Sequence, residues 1–196
     1  MKAIIKKLAV PKVILRYIMM NFTDLKTIKC LILNVKIMNV LDNYSKDILE
    51  KARRGFQWNC LEGHLIVAQW LYSLGGINIH ADNEYAFKYS CQNGHLIVAQ
   101  WLYSLGDVDI HHQHEYAFRA SCDEGHLDVA QWLYVLGQVN IHAYNEEAFR
   151  WSCQAGHLAV AQWLYSLGGI NIHADNKSVF KYSRKEILNW LNMIKN

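Results

Sequence analysis

The chain is 196 residues long, which at about 150 residues per domain makes one folded unit with short additions and excludes a large multidomain enzyme. An apolar share of 52% and a charged share of 19% supply a core and exclude a disordered chain. The net charge of +3 is too small to hold the protein on nucleic acid by bulk electrostatics, and the single proline favours uninterrupted helices.

Along the chain the charge is uneven. Residues 1–54 carry a net +8, residues 55–176 carry −9 together with all ten histidines, and residues 177–196 carry +4. The acidic middle repels a phosphate backbone, so no nucleic-acid partner is expected. In residues 1–20, Lys6, Lys7, Lys12 and Arg16 interrupt every apolar run, which leaves neither a signal-peptide core nor a membrane span. This stretch reads as a basic leader, with a transit peptide or a basic amphipathic helix on an anionic membrane as alternatives. Met19 and Met20 allow a later translation start. Residues 21–49 read as a degenerate N-terminal capping unit, in which Asn34–Leu41 stands where His64–Leu71 stands one unit later.

From residue 50 the sequence repeats. GHL recurs at Gly63, Gly94, Gly125 and Gly156, always 31 residues apart, and QWLY recurs at Gln69, Gln100, Gln131 and Gln162. The units 50–80, 81–111, 112–142 and 143–173 are identical at 15 of 31 positions, which chance does not produce. Phe56, Phe87, Phe118 and Phe149 are among these positions, as are Cys60, Cys91, Cys122 and Cys153 and Trp70, Trp101, Trp132 and Trp163. A shortened fifth unit, 174–196, reads as a polar C-terminal cap in which Glu186–Leu191 aligns with the QWL stretch after a four-residue loss.

Each unit reads as two helices. In the 81–111 unit Asn83 is expected to cap the first helix and Glu84 to charge its first turn, while Ala86, Phe87, Ser90 and Cys91 share a face. Gly94 ends that helix; Leu96, Val98, Ala99, Trp101, Leu102 and Leu105 form the apolar face of the second, and Gly106 stops it. Helices of about ten residues are unstable alone, so the pairs are expected to stack. Stacked helices lie about 8–10 Å apart, farther than a disulfide spans, so the four repeated cysteines are expected to be reduced, buried packing residues. Cys30 is expected to be packed as well. Reduced cysteines suit an intracellular protein, cytoplasmic or nuclear.

The 31-residue helix–turn–helix unit centred on NGHLIVAQWLYSLG resembles the ankyrin repeat over residues 50–173. It departs from that pattern in its period, shorter than the usual 33, and in Tyr85-Ala86-Phe87-Lys88 where ankyrin units carry Thr-Pro-Leu-His. A tighter or less regular inter-unit hairpin is expected in consequence. The near-identical units are similar to the multi-copy ankyrin families of large DNA viruses, which implies a viral protein acting in a host cell. The fold class expected is an all-α, ankyrin-type solenoid of short antiparallel helix pairs. The resemblance implies recognition of a protein partner by loop tips and the inner face.

Catalysis needs a single converging constellation, whereas the eye-catching polar residues here recur once per unit. The histidine of each GHL is expected to satisfy the tight turn between helices, and His80, His111, His142 and His173 are read as structural in the same way. No enzyme activity, cofactor or metal is expected. His111-His112-Gln113-His114 could present three imidazoles to zinc, but the spacing fits no familiar site and reads as an exposed loop.

Function should lie where units differ on a fixed frame. The inter-unit loops, with Asp107 and Asp109, and the stretches Ala81–Asn83, His112–His114 and Ala143–Asn145 that follow them form one such band, His112 and His114 included. The first helices form a second, with Lys88, Tyr89, Arg119, Arg150 and Trp151; these three cations are the only ones between residues 55 and 176 and share a register. The second band reads either as a partner-binding row, whose reversal to Glu abolishes capture with helices intact, or as aromatics half-buried between units with cations offsetting Glu84, Glu115 and Glu146. The expected activity is that of a monomeric, non-catalytic protein-interaction scaffold. A ubiquitin-ligase adaptor and a membrane-surface protein anchored by residues 1–20 are the alternatives.

Overall fold

A computed structural model describes residues 47–137 and 139–194. Among them the chain forms ten helices and no strand. The leader 1–20 and residues 21–46 of the expected capping unit lie outside the described residues, as does Cys30. The described residues divide into two compact parts: residues 47–59 with 64–78, and residues 60–63 with those described from 79 to 194.

Helix α1 (Asp47–Leu61) belongs to the first part as far as Asn59, and α2 (Leu65–Ser73) follows there. Apolar residues at helical spacing put Phe56, Val67, Ala68 and Leu71 in the interior, with the Phe56 ring 6.5 Å from Tyr72. The His64 N–H donates to the Asn59 carbonyl at 2.8 Å, and the His64 ring stacks on Trp58 at 5.5 Å.

The second part runs α3 (Ala81–Gln92), α4 (Leu96–Ser104), α5 (His112–Asp123), α6 (Leu127–Leu136), α7 (Ala143–Ala155), α8 (Leu158–Ser166), α9 (Ala174–Tyr182) and α10 (Lys185–Ile194). Helices α3, α5, α7 and α9 pack in series, and α3, α5 and α7 each pack on the helix that follows. The core is built from recurring residues: Phe87, Phe118 and Phe149 with Val98, Val129, Val160 and their neighbours Ala and Leu. Each phenylalanine meets a tryptophan from the next helix pair, Phe87–Trp132 at 6.2 Å, Phe118–Trp163 at 6.2 Å and Phe149–Trp190 at 6.3 Å. Trp190 of α10 therefore occupies the place held by Trp132 and Trp163, with Ile187 and Leu191 buried beside it.

The turn inside each pair explains the GHL motif. Gly94 adopts φ 76°, which favours a residue without a side chain, and the next N–H, of His95, donates to the Ser90 carbonyl at 2.8 Å. A Cβ on Gly94 would lie 2.5 Å from Cε1 and 2.8 Å from Cγ of His126, the GHL histidine of the following repeat. The histidines were expected to satisfy their own turn; they form no side-chain cap there, and His126 and His157 instead cover the turn of the preceding repeat. His95 is hydrogen-bonded to the Leu61 carbonyl, and burial pushes its pKa below the ordinary histidine value despite that bond and nearby Glu62. Arg184 replaces histidine over Gly156 in the last repeat. Gly94→Ala is expected to lower the unfolding free energy by about 2 kcal/mol, through the left-handed backbone and the displaced ring. In urea titrations, adding His126→Ala should make the glycine change less costly, and strict additivity would rule out the steric part.

Cys60, Cys91, Cys122 and Cys153 are free and fully buried. Burial pushes all four thiols up, Cys153 to about 12, so almost no thiolate exists at neutral pH. Iodoacetamide at pH 8 should leave these four unlabelled in the native protein and label all of them in urea, as read by peptide mapping; rapid native labelling would show that the interior opens readily.

Candidate recognition edge

The connecting loops between helix pairs share one geometry. The side chains of Asp109, Asn140 and Asn171 each accept the backbone N–H of the histidine two residues on, at 3.0, 3.0 and 2.9 Å, closing a tight turn. Starting two residues beyond each of His80, His111 and His142, three residues in succession turn left-handed: Asp82–Glu84, Gln113–Glu115 and Tyr144–Glu146. Asn83, expected to cap α3, lies inside this turn at φ 60°, ψ 58° rather than in the extended conformation of a capping residue. Left-handed backbone costs about 1–2 kcal/mol per residue with a side chain, so the turn must be held from outside.

Two groups hold it. The first is a carboxylate, Glu84, Glu115 or Glu146, each only 7% exposed. It accepts from Nδ1 of the histidine four residues back, at 2.8, 2.9 and 3.0 Å, which places the proton on Nδ1. Glu115 and Glu146 also accept the backbone N–H of Asn140 and Asn171 at 3.3 Å, tying one repeat to the next loop. The second is a guanidinium. Arg119 donates from Nε to the His114 carbonyl at 2.8 Å and from Nη2 to that of Gln113 at 3.0 Å, and Arg150 does the same to Asn145 at 2.8 Å and Tyr144 at 3.1 Å. The His-to-Glu spacing of four residues is visible in three units, but its role as a turn anchor was not anticipated.

Of the second band, Lys88 and Arg119 are therefore buried. Arg119 pairs with Glu147 of the following repeat and lies over the rings of Tyr144 at 4.5 Å and Trp151 at 5.8 Å. The Lys88 ammonium donates to Gln113 at 3.0 Å and lies 5.3 Å from the Tyr116 ring centre; burial pulls its pKa down against the pull of Glu84. Arg150 is half-buried, as are Tyr89 and Trp151. The cations thus serve turns and neighbouring repeats: Arg119 forms its ion pair with Glu147, while Glu115 acts on it, and Glu84 on Lys88, through charge. Reversing all three cannot be expected to leave the helices intact.

The first band is on the surface. Asp107, Asp109 and His114 are exposed, and His112 is half-buried. The histidine trio is directed to separate partners: His111 to Glu115, His112 toward Asp109 at 3.8 Å, and His114 edge-on to Tyr144 at 5.3 Å. Among the described residues no three His, Cys, Asp or Glu side chains gather as metal ligands would. Tyr144, 54% exposed, falls within the 143–145 stretch of this band and varies with Asp82 and Gln113 at one register. With His114, Glu115, Asn140 and Ala143 it lines a cleft of about 240 Å³.

No family model matches the chain, and no curated protein matches it. Among the described residues no helix is long and apolar enough to cross a membrane.

Proposed function

We propose that the protein is a non-catalytic scaffold of ankyrin type that recognises another protein through the loop and turn residues its helix pairs display. One observation carries this reading: the division between what repeats and what varies. Recurring Phe, Cys, Val, Ala and Leu are buried, whereas Asp82, Gln113 and Tyr144 at one register differ and are exposed, and at the next the exposed His114 replaces the exposed asparagine of Asn83 and Asn145. A fixed interior with a varied, rigidly held edge suits recognition by shape and side-chain chemistry. The resemblance to viral ankyrin families extends the proposal to a host protein as partner.

The test replaces Asp107→Gly, His114→Asn and Tyr144→Asp together, each copying the residue of another repeat at the same register. Circular dichroism is expected to be unchanged, while a protein captured from cell extract by the parent and verified with purified partner is no longer bound. Equal binding by parent and variant would remove this edge from the interface.

A further inference from the structure

One break in the repeat falls at the register of Ala143, which lines the cleft. Ala81, Ala143 and Ala174 share a register that His112 occupies in the 112–142 repeat. At the junction before the cleft, the registers of His114, Glu115, Asn140, Ala143 and Tyr144 are filled by Asn83, Glu84, Asp109, His112 and Gln113. An imidazole therefore stands where Ala143 leaves space. Its Nδ1 lies 3.8 Å from the Asp109 carboxylate, while its Nε2 and Oε2 of Glu84, at the register of Glu115, are both buried without a hydrogen-bond partner and do not bond each other. The repeat thus sets an imidazole at one junction and an alanine, Ala143 and then Ala174, at the two that follow.

We propose that the open cleft receives a cationic side chain, lysine or arginine, from a basic segment of the partner protein. This rests on the recognition reading above and names the chemistry recognised. At about 240 Å³ the cleft is below the roughly 300–1,000 Å³ usual for small-molecule sites and is sized for a single side chain. Glu115 lines it, and its Oε1 accepts from His111 and from the Asn140 N–H, while Oε2 accepts only from His111. A carboxylate offers about four acceptor positions, so Oε2 has room for one more donor. Arg119 covers one face of Tyr144, and its charge is met by its ion pair with Glu147 and by the nearby Glu115. The remaining aromatic surface of Tyr144 and His114 suits a cation, and the net −9 of residues 55–176 attracts a basic segment.

The experiment is an NMR titration of the full chain with the peptide acetyl-Gly-Lys-Gly-amide beside its norleucine counterpart, which has no charge. The lysine peptide is expected to shift the amides of His114, Glu115, Asn140, Ala143 and Tyr144, and the norleucine peptide is not. Ala143→His copies the filled junction and should weaken lysine binding by roughly tenfold or more, as expected when a charged hydrogen bond is displaced. His112→Ala copies the open junction and should add a second responding set at Asn83, Glu84, Asp109 and Gln113. Both variants carry a residue that another repeat tolerates at that register, so loss of fold, visible in the same spectra, is not the expected cause of any change. No response to the lysine peptide, equal response to norleucine, undiminished binding by Ala143→His, or no second set in His112→Ala would each overturn the proposal. No partner protein is used, so failure here leaves the capture experiment standing, and failure of capture leaves the lysine titration standing.

Discussion

Arg119→Glu is expected to lower the unfolding free energy by about 4 kcal/mol, the range for breaking a buried ion pair. The guanidinium is 7% exposed, clamps two carbonyls of a left-handed turn, pairs with Glu147 and covers the Tyr144 ring. A carboxylate in its place leaves those carbonyls unbonded and sets a second negative charge against Glu147. Arg119→Lys should fall between parent and Arg119→Glu, because an ammonium keeps the charge but lacks the planar fork that reaches both carbonyls. Adding Glu147→Arg to Arg119→Glu should recover the ion-pair part and not the clamp. Urea midpoints across the four proteins measure this. An Arg119→Glu midpoint close to the parent would mean that the side chain points to solvent, which would return it to the set of displayed cations.

A second large effect is expected in the core. Phe118→Ala should cost about 4 kcal/mol, since Phe118 is 1% exposed and its ring meets Trp163 of the next helix pair at 6.2 Å. Truncation leaves a cavity on a junction between repeats, so the loss is shared by both neighbours. Val135→Ala, at a residue 80% exposed, should stay within about 0.5 kcal/mol. Comparable losses at the two positions in urea unfolding would be incompatible with the observed interior.

These two side chains, adjacent in sequence, divide the labour of the edge. Phe118 fixes α5 against its neighbours, and Arg119 holds the turn that presents Gln113 and His114. A displayed side chain on such a turn loses little freedom on binding, which favours affinity without added contact area.

The repeat period, the two-helix reading of each unit and the buried cysteines were legible in the sequence, because burial at helical spacing is a local property of residue type and interval. Phe87 and Cys91 face inward for the reason they were placed there: apolar side chains four apart lie on one side of a helix. The inversion of the Lys88 and Arg119 row was not legible, because whether a cation faces solvent or a neighbour depends on carbonyls of a left-handed turn that no propensity scale anticipates. Nor did spacing alone show why GHL needs its glycine, since the ring that lies over Gly94 belongs to His126, 32 residues later. The amino-acid order alone determined which residues recur, which form helices and which sides of those helices are apolar. Only the tertiary structure decided which variable polar groups stay in water, because stacking one repeat on the next creates the buried acceptors that draw some of them inward.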